Sequence, residues 1–211
     1  RLRVERPDEL YIGPGSCTYY YGFNVLKEPV NNVHMRRALS LAIDRQTIVD
    51  AILQAGQQPA GFFTRPNYAA AATQEEYPDL GVRYDPDLAK QELELYFQET
   101  GNTLETMPPI TLMYNTSESH AIIAQAVQQM WKEVLGIEVT VANQEWQTYL
   151  DTLDEDAPQV WRLGWCEDYQ DPNNFLGDVF RSDSGNNNTN WGNEEFDALI
   201  DQAKVMLDFE A

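Results

Sequence analysis

Residues 110–141 read ITLMYNTSESHAIIAQAVQQMWKEVLGIEVTV and combine a strand, a helix and a second strand. The apolar, β-prone residues 110–114 predict a buried strand, and the alternation of apolar and polar residues at 137–141 predicts another. Gly136 ends the helix between them. One face of that helix carries four apolar side chains, at Ile123, Val127, Met130 and Val134.

The same pattern continues on both sides of this unit. Residues 146–153 predict a short helix, residues 160–165 predict a third strand, and the tyrosine-rich run at 19–24 favours a further strand upstream. Strands that alternate with helices need right-handed crossovers and a parallel arrangement. Residues 57–84 are rich in proline and glycine and are expected to form an extended, loop-rich cover. The chain is therefore an α/β protein.

Capping residues predict three more helices. Two asparagines cap a predicted helix over residues 33–55, and Asp85 caps a second that runs to about residue 99. A glycine follows each of these helices and ends it. A last helix begins near Asn193, and four apolar side chains are expected on its inner side: Phe196, Leu199, Ile200 and Ala203.

The composition narrows the function classes. The chain has 211 residues, 43% of them hydrophobic, which is enough for the core of one large domain. Acidic residues outnumber basic ones by 34 to 14, and the net charge of -20 repels phosphate backbones and anionic lipid heads. We therefore expect no nucleic-acid partner. No apolar run long enough for a membrane span and no signal-peptide pattern occurs, and both ends look like points inside a longer chain.

The two cysteines, Cys17 and Cys166, lie far apart and match neither a zinc spacing nor a Cys-x-x-Cys motif. If they pair, closing so long a loop stabilises the fold by roughly 4 to 5 kcal/mol in the chain-entropy model, and the protein belongs outside the reducing cytosol. If they are free, each is a small buried apolar residue. Spacing alone leaves both possibilities open.

Ligands of open α/β sheets bind beyond the carboxyl ends of the strands, where loops and helix N-termini gather. Three of the predicted strands end in polar or aromatic segments, at residues 115–120, 143–146 and 165–168. We expect these segments to meet at one edge of the sheet and to form the binding site.

Residues 164–175, GWCEDYQDPNNF, concentrate most of the candidate chemistry. Glu167 and Asp168 are neighbours, so their side chains point in opposite directions from a strand and do not suit an acid/base pair. The segment also lacks the glycine turn and the terminal glutamate of a calcium loop. With only His34 and His120 in the chain, a histidine metal site is hard to assemble. We therefore expect no metal, no cofactor and no catalytic residue.

Ligand recognition is the remaining use for these residues. A carboxylate at Asp168 beside the ring of Trp165 suits an ammonium group, and a turn or capping role is the alternative. Trp146 and Trp165 either line apolar pockets or pack in the core. Arg162, inside a strand, needs either a structural salt bridge or a ligand carboxylate, and His120 is either a ligand contact or an ordinary surface residue.

Several short blocks occur in the order and spacing of a known family. They are CTYYY at 17–21 with Asn24, RAL at 37–39, IDR at 43–45, YNTS at 114–117, NQEW at 143–146, GWC at 164–166, DY at 168–169 and FD at 196–197. From about residue 15 to 205, the chain resembles the oligopeptide-binding proteins of bacterial ABC importers.

The resemblance implies a fold, a function and a location. The fold would be a lobe of the type II periplasmic-binding-protein class, with a mixed sheet flanked by helices. Residues 1–211 would be a single ligand-binding lobe, a fragment of a larger two-lobe receptor. That receptor would capture oligopeptides for the permease of an ABC transporter, without enzymatic activity or a cofactor. It would be periplasmic or extracellular, attached to the cell surface by a lipid anchor outside this chain.

The resemblance also implies roles for single side chains. Asp168 would bind the α-amino group of the peptide, and Trp146 and Trp165 would line pockets for peptide side chains. Arg162 and His120 would lie near the C-terminal end of the peptide.

The backbone of Gly164 and Cys166 would pair with the peptide as an added strand, a mode that gives affinity without sequence specificity. The resemblance further implies a disulfide between Cys17 and Cys166. Two positions depart from the family, because Gly22 stands where an acidic residue follows the tyrosines and Leu153 stands where an arginine can occur. These departures leave the preferred length and charge of the peptide open.

Two alternative functions stay open at this point. The same fold could bind another solute, because relatives of this family take up nickel complexes, haem or oligosaccharides. A function of another class is an acidic hydrolase that uses Glu167 or Asp168.

Overall fold

The computed structural model describes residues 2–11, 13, 15–68 and 71–206 of the chain. A four-stranded mixed sheet forms its centre, with the strands in the spatial order β1-β4-β2-β3. The strands are β1 (Cys17–Phe23), β2 (Ile110–Asn115), β3 (Val139–Gln144) and β4 (Val160–Cys166). β2 pairs in parallel with both β3 and β4, whereas β1 is antiparallel to β4. The parallel arrangement predicted for the last three strands is confirmed.

Eight α-helices, a 3-10 turn and a π-helix occur in the described residues. They are α1 (Leu2–Glu5), the 3-10 turn (Pro7–Glu9), α2 (Val33–Leu41), α3 (Arg45–Thr47), the π-helix (Ile48–Leu53), α4 (Pro86–Thr100), α5 (Glu118–Leu135), α6 (Trp146–Asp156), α7 (Asn173–Phe180) and α8 (Glu194–Ala203). Local caps set several bounds as predicted. Asp85 accepts a hydrogen bond from the N–H of Leu88 at 3.0 Å, and Gly101 ends α4 with a φ of 73°. None of the helices in the described ranges is long and apolar enough to cross a membrane.

Each face of the sheet is covered by helices. Successive residues of β2 point to opposite faces, with Leu112 in the larger core and Met113 in the smaller one. The larger core joins the sheet to α2, α4 and α5, and the indole of Trp131 donates to the carbonyl of Leu39 at 2.8 Å inside it. The smaller core packs α6 against Trp161 of β4. Both faces of the sheet are therefore buried against helices.

Residues 57–68 and 71–84 contain no helix or strand, as predicted for a loop-rich cover. The hydroxyl of Thr18 in β1 donates to the carbonyl of Phe63 in this cover at 3.0 Å. Tyr68 of the cover forms a third apolar cluster with Phe175 of α7, and Trp165 packs against that cluster. The cover is thus anchored beside the C-terminal end of β4.

The single helix predicted over residues 33–55 is wrong. α2 ends at Leu41 because Asp44 caps a new helix, accepting hydrogen bonds from the N–H and the hydroxyl of Thr47 at 3.0 and 2.7 Å. The π-helix that follows ends at Leu53, because Gln54 adopts a φ of 51°, so the predicted stop at Gly56 is also wrong. The apolar residues keep a helical period across this segment, but the cap at Asp44 still divides it into separate helices.

Other bounds also differ from the prediction. Ile137 is buried, but β3 begins two residues later, at Val139. α7 was not predicted, because its eight residues are too few for a clear helical period. On α8 only Ile200 is buried, and Leu199 is 57% exposed. The inner side predicted for this helix is therefore wrong for Leu199 and also for Ala203, which is exposed.

Candidate ligand-binding site

The C-terminal half of β4 has one open edge. β1 pairs with β4 along its whole length, but β2 pairs with it only at Val160 and Trp161. The N–H of Glu167 donates to the carbonyl of Ser16, the residue before β1, and the N–H of Arg162 points the other way. Because backbone direction alternates along a strand, Gly164 and Cys166 face the same open side as Arg162. Within the described ranges, neither has a hydrogen-bond partner on that side.

Asp168 follows this edge and is exposed. Its N–H donates to the Asn174 side-chain oxygen at 3.0 Å, and nothing in the described part of the chain donates to its carboxylate. Its neighbour Glu167 is turned elsewhere and forms a salt bridge with Arg65 at 3.3 Å. The two adjacent carboxylates therefore do not form an acid/base pair.

Asn174 holds Asp168 and Trp165 in place together. The Asn174 side-chain oxygen accepts from the Trp165 indole at 3.2 Å and from the Asp168 N–H, while its amide donates to Asp178 at 3.0 Å. Asn174 is only 1% exposed, so this junction is shielded from water. Asn174 was not singled out in the sequence, where an asparagine in a polar loop carries no signal of such a role.

Asp168 and Trp165 line one open cleft of about 560 Å³, whose other walls come from α7, α8 and the loop between them. The cleft walls carry four aspartates, against one arginine and one lysine. Such a surface attracts a cation, and the Asp168 carboxylate can accept charge-assisted hydrogen bonds from an ammonium group.

The guanidinium of Arg162 lies at the other end of the open edge from Asp168. The Arg162 guanidinium donates to the side-chain oxygen of Asn115 at 3.0 Å and stacks over the Tyr19 ring, 4.3 Å from its centre. No carboxylate among the described residues pairs with it, and its Nε is buried without a hydrogen bond. Of the two explanations that the sequence left open for Arg162, a salt bridge within the described residues is therefore excluded.

His120 shares the Tyr19 ring with Arg162. The rings of His120 and Tyr19 lie 5.5 Å apart, and His120 Nδ1 is buried without a hydrogen bond to any described residue. Burial, and secondly the charge of Arg162, lower the pKa of His120 below its ordinary value of 6.5. The imidazole is therefore neutral at pH 7, and Arg162 is the cation at this end of the edge.

Trp146 lies apart from the cleft that Asp168 lines. It is the first residue of α6, is 46% exposed, and stacks on the buried ring of Tyr149 with 6.4 Å between ring centres. An exposed indole on a fixed ring can cover an apolar side chain of a ligand. The structure thus places Asp168 beside Trp165, and it places Arg162 beside His120. Trp146 lies in a third position, at the end of β3.

The disulfide implied by the family resemblance is confirmed. Cys17 and Cys166 are directly opposite in the β1–β4 register, their Cα atoms are 3.9 Å apart, and they are bonded. The bond ties the two strands together at the end of the open edge. The described cysteines, histidines and acidic residues include no group of three or more that is arranged to hold a metal ion.

The two departures from the family pattern meet at one side chain. Gly22 lies opposite Trp161 in the register, and a Cβ on Gly22 would overlap the Trp161 ring. Leu153 is 3% exposed and packs in the same cluster as Trp161. Gly22 and Leu153 therefore both lie against the apolar ring of Trp161.

Comparison with known proteins adds a family to this geometry. Residues 2–187 match the bacterial extracellular solute-binding proteins, family 5 Middle. The oligopeptide-binding protein OppA of Bacillus subtilis (strain 168) is 39% identical in an alignment of 209 positions that covers 97% of this chain and 37% of the relative. The periplasmic oligopeptide-binding protein OppA of Salmonella typhimurium is 39% identical over 209 residues, which are 99% of this chain and 38% of the relative.

A solved structure has the same fold. Haemophilus influenzae OppA in complex with RPPGFSPFR superposes with a TM-score of 0.86 and 31% identity, covering 99% of this chain and 40% of that chain. The predicted type II periplasmic-binding-protein fold, with a mixed sheet flanked by helices, is therefore confirmed. This chain spans about two fifths of the length of these relatives.

Proposed function

Since this chain belongs to the family 5 bacterial extracellular solute-binding proteins, we propose that it is a lobe of a receptor that captures oligopeptides. In this proposal residues 1–211 are one ligand-binding lobe, and a second lobe closes over the bound peptide. The receptor delivers the peptide to the permease of an ABC transporter. It works in the periplasm or outside the cell, attached by a lipid anchor that lies outside this chain.

The observation that carries the proposal is the open edge of β4. The free backbone groups of Gly164 and Cys166 accept an extended peptide as an added strand, because main-chain hydrogen bonds need no particular side chains. Asp168 lies beyond one end of this edge and binds the peptide amino group. Arg162 lies at the other end and attracts the peptide carboxylate, so the bound peptide runs antiparallel to β4.

The aromatic residues and His120 complete the site in this proposal. Trp165, fixed by its bond to Asn174, forms a wall beside the peptide amino group, and Trp146 covers a peptide side chain near the end of β3. His120, neutral beside Arg162, donates or accepts a hydrogen bond near the C-terminal end of the peptide.

The alternatives have less support. A hydrolase would need two carboxylates that act on one bond, but Glu167 is held by Arg65. A metal-containing solute would need ligands, and the described residues contain no cluster suited to a metal. We therefore propose a binding function without catalysis or a cofactor.

The test is calorimetry on the protein produced with both lobes and freed of co-purified ligand. It is titrated with short peptides and, as matched comparisons, with a nickel complex, haem and an oligosaccharide. We expect saturable heat of binding with the peptides and none with the nickel complex, haem or the oligosaccharide. Failure of every peptide to bind, or saturable binding of only one of the other solutes, would contradict the proposal.

A further inference from the structure

The pairing of β2 with β4 ends abruptly. The register pairs Leu112 with Val160 and Met113 with Trp161, so Tyr114 and Arg162 would come next. That pair does not form, although both strands continue for at least two more residues. At this level the hydroxyl of Tyr149, from α6, lies between the two strands.

This one hydroxyl bonds the backbone N–H and carbonyl of Arg162, the groups with which β2 would otherwise pair. It accepts a hydrogen bond from the N–H of Arg162 at 2.9 Å, and it faces the carbonyls of Arg162 at 2.6 Å and of Met113 at 3.2 Å. A phenol has one proton, so the shorter contact identifies the Arg162 carbonyl as its main acceptor. Burial raises the pKa of Tyr149, so the phenol keeps this proton.

The packing of α6 fixes the phenol at this point. Tyr149 is fully buried, in a cluster with Met113, Leu153 and Trp161. Moving the ring away would leave the buried hydroxyl without its hydrogen bonds, which is unfavourable. The hydroxyl therefore acts as a spacer between β2 and β4.

We propose that Tyr149 is a positioning residue, whose hydroxyl ends the β2–β4 pairing at Arg162 and so makes Gly164 the first free position for a peptide strand. This inference rests on the proposed function. It assigns no contact between Tyr149 and the peptide. The phenol acts through β4. It bonds the backbone of Arg162 and keeps β2 from pairing with Gly164 and Cys166.

The test uses Tyr149→Phe in the two-lobe protein, with Tyr96→Phe as the matched control. Tyr96 is also buried, and it belongs to α4, away from the open edge. Its hydroxyl accepts one hydrogen bond, from the side chain of Asn102 at 2.9 Å. Each protein is titrated with a peptide and with analogues in which single amides are replaced by esters. An ester removes one N–H donor and leaves the shape of the ligand almost unchanged.

In the wild type and in Tyr96→Phe, we expect an ester at a pairing position to weaken binding by about three- to tenfold, the usual effect of one hydrogen bond. Tyr149→Phe should bind the all-amide peptide about tenfold more weakly and should lose most of this discrimination against the ester. A purely structural effect would lower the melting temperature and leave the ratio between amide and ester unchanged. An unchanged ratio in Tyr149→Phe would overturn the inference.

Amide hydrogen exchange in the wild type gives a second measurement that needs no variant. Without peptide, the N–H of Arg162 should exchange slowly, whereas the N–H groups of Gly164 and Cys166 should exchange rapidly and become protected when peptide binds. Equal protection of Gly164 and Arg162 without peptide would refute the spacer. A wild type that binds no peptide at all would instead refute the proposed function, and the exchange pattern without ligand would still test Tyr149.

Discussion

Arg65 and Glu167 form a salt bridge, with Nη1 and Oε2 3.3 Å apart and each side chain only 15% exposed. The bond joins the loop cover to the residue that follows β4. It occupies Glu167 and leaves its neighbour Asp168 on the wall of the open cleft. Two adjacent carboxylates therefore have different surroundings, and they provide a matched pair for mutagenesis.

Asp168→Asn should weaken the binding of peptides that have a free amino group. The loss should be about 2 to 5 kcal/mol when the closed receptor buries the ion pair between Asp168 and the peptide ammonium group. The amide keeps the shape of the side chain but removes the negative charge that attracts the ammonium group. Calorimetry on the two-lobe protein, with a free and an N-acetylated form of one peptide, measures the effect. The variant should no longer distinguish the two forms.

Glu167→Gln is the control for this experiment. It makes the same chemical change one residue earlier, at a carboxylate that Arg65 already occupies. Discrimination between free and acetylated peptide should stay as in the wild type. Equal loss in both variants would show that the general negative charge of the cleft, and not Asp168, recognises the amino group.

His120→Gln should reduce the acid sensitivity of the protein. The pKa of His120 is lowered in the folded state, by burial first and by Arg162 second, so the unfolded chain binds more protons as the pH falls through about 6.5. Its contribution to stability is therefore present above this pH and is lost on acidification. Urea unfolding at about pH 7 and about pH 5 should show a smaller loss in the variant than in the wild type.

Arg162→Gln separates the two causes of this pKa shift. Removing the arginine charge should reduce the acid sensitivity in the same direction as His120→Gln, but by less, because burial of the imidazole remains. If the wild type and His120→Gln lose the same free energy of unfolding between the two pH values, the assignment to His120 is wrong.

Replacing Cys17 and Cys166 together by serine should lower the free energy of unfolding by roughly 4 to 5 kcal/mol in the chain-entropy model. The bond closes a loop with a sequence separation of 149 residues, and without it the unfolded chain gains the entropy of that loop. Urea unfolding of the oxidised protein and of the double variant measures the difference. Detection of two free thiols in the denatured, unreduced protein would contradict the bond itself.

Gly22→Ala should destabilise the fold by about 1 to 3 kcal/mol, because its methyl group would overlap the ring of Trp161. Gly185→Ala is the control, since a Cβ at Gly185 would meet nothing within 4 Å. Thermal unfolding of both variants measures the contrast. If the two substitutions have equal effects, the close packing of β1 against Trp161 does not constrain this position.

Much of the secondary structure could be predicted because its signals are local. β2, α5, α6 and β4 follow from apolar periods, and the glycines and capping residues at their ends act within one turn of the helix. The break in the helix after Leu41 was missed, although Asp44 carries the signal for it. α7 was missed because it is short and packs on the loop cover, which no local pattern reveals.

Part of the candidate site has a signal in the sequence. Asp168, Trp165, Arg162 and the strand edge were proposed because the carboxyl ends of strands gather at one side of an α/β sheet, and because of the family resemblance, and their roles in binding stay predictions. Tyr149, Asn174 and Arg65 were missed. Each acts through a contact with another element, and the Arg65–Glu167 pair spans 102 residues of sequence.

The sequence by itself determined the α/β class, the order of the four strands and most of the helices along the chain, and the polar segments that follow the strands. These features depend on neighbouring residues within a few positions. Only the tertiary structure decided that β4 lies between β1 and β2 and that β2 leaves it after Trp161. The physical reason is that hydrogen bonds between strands, and the buried hydroxyl of Tyr149 that interrupts them, join residues whose separation in the sequence carries no periodic signal.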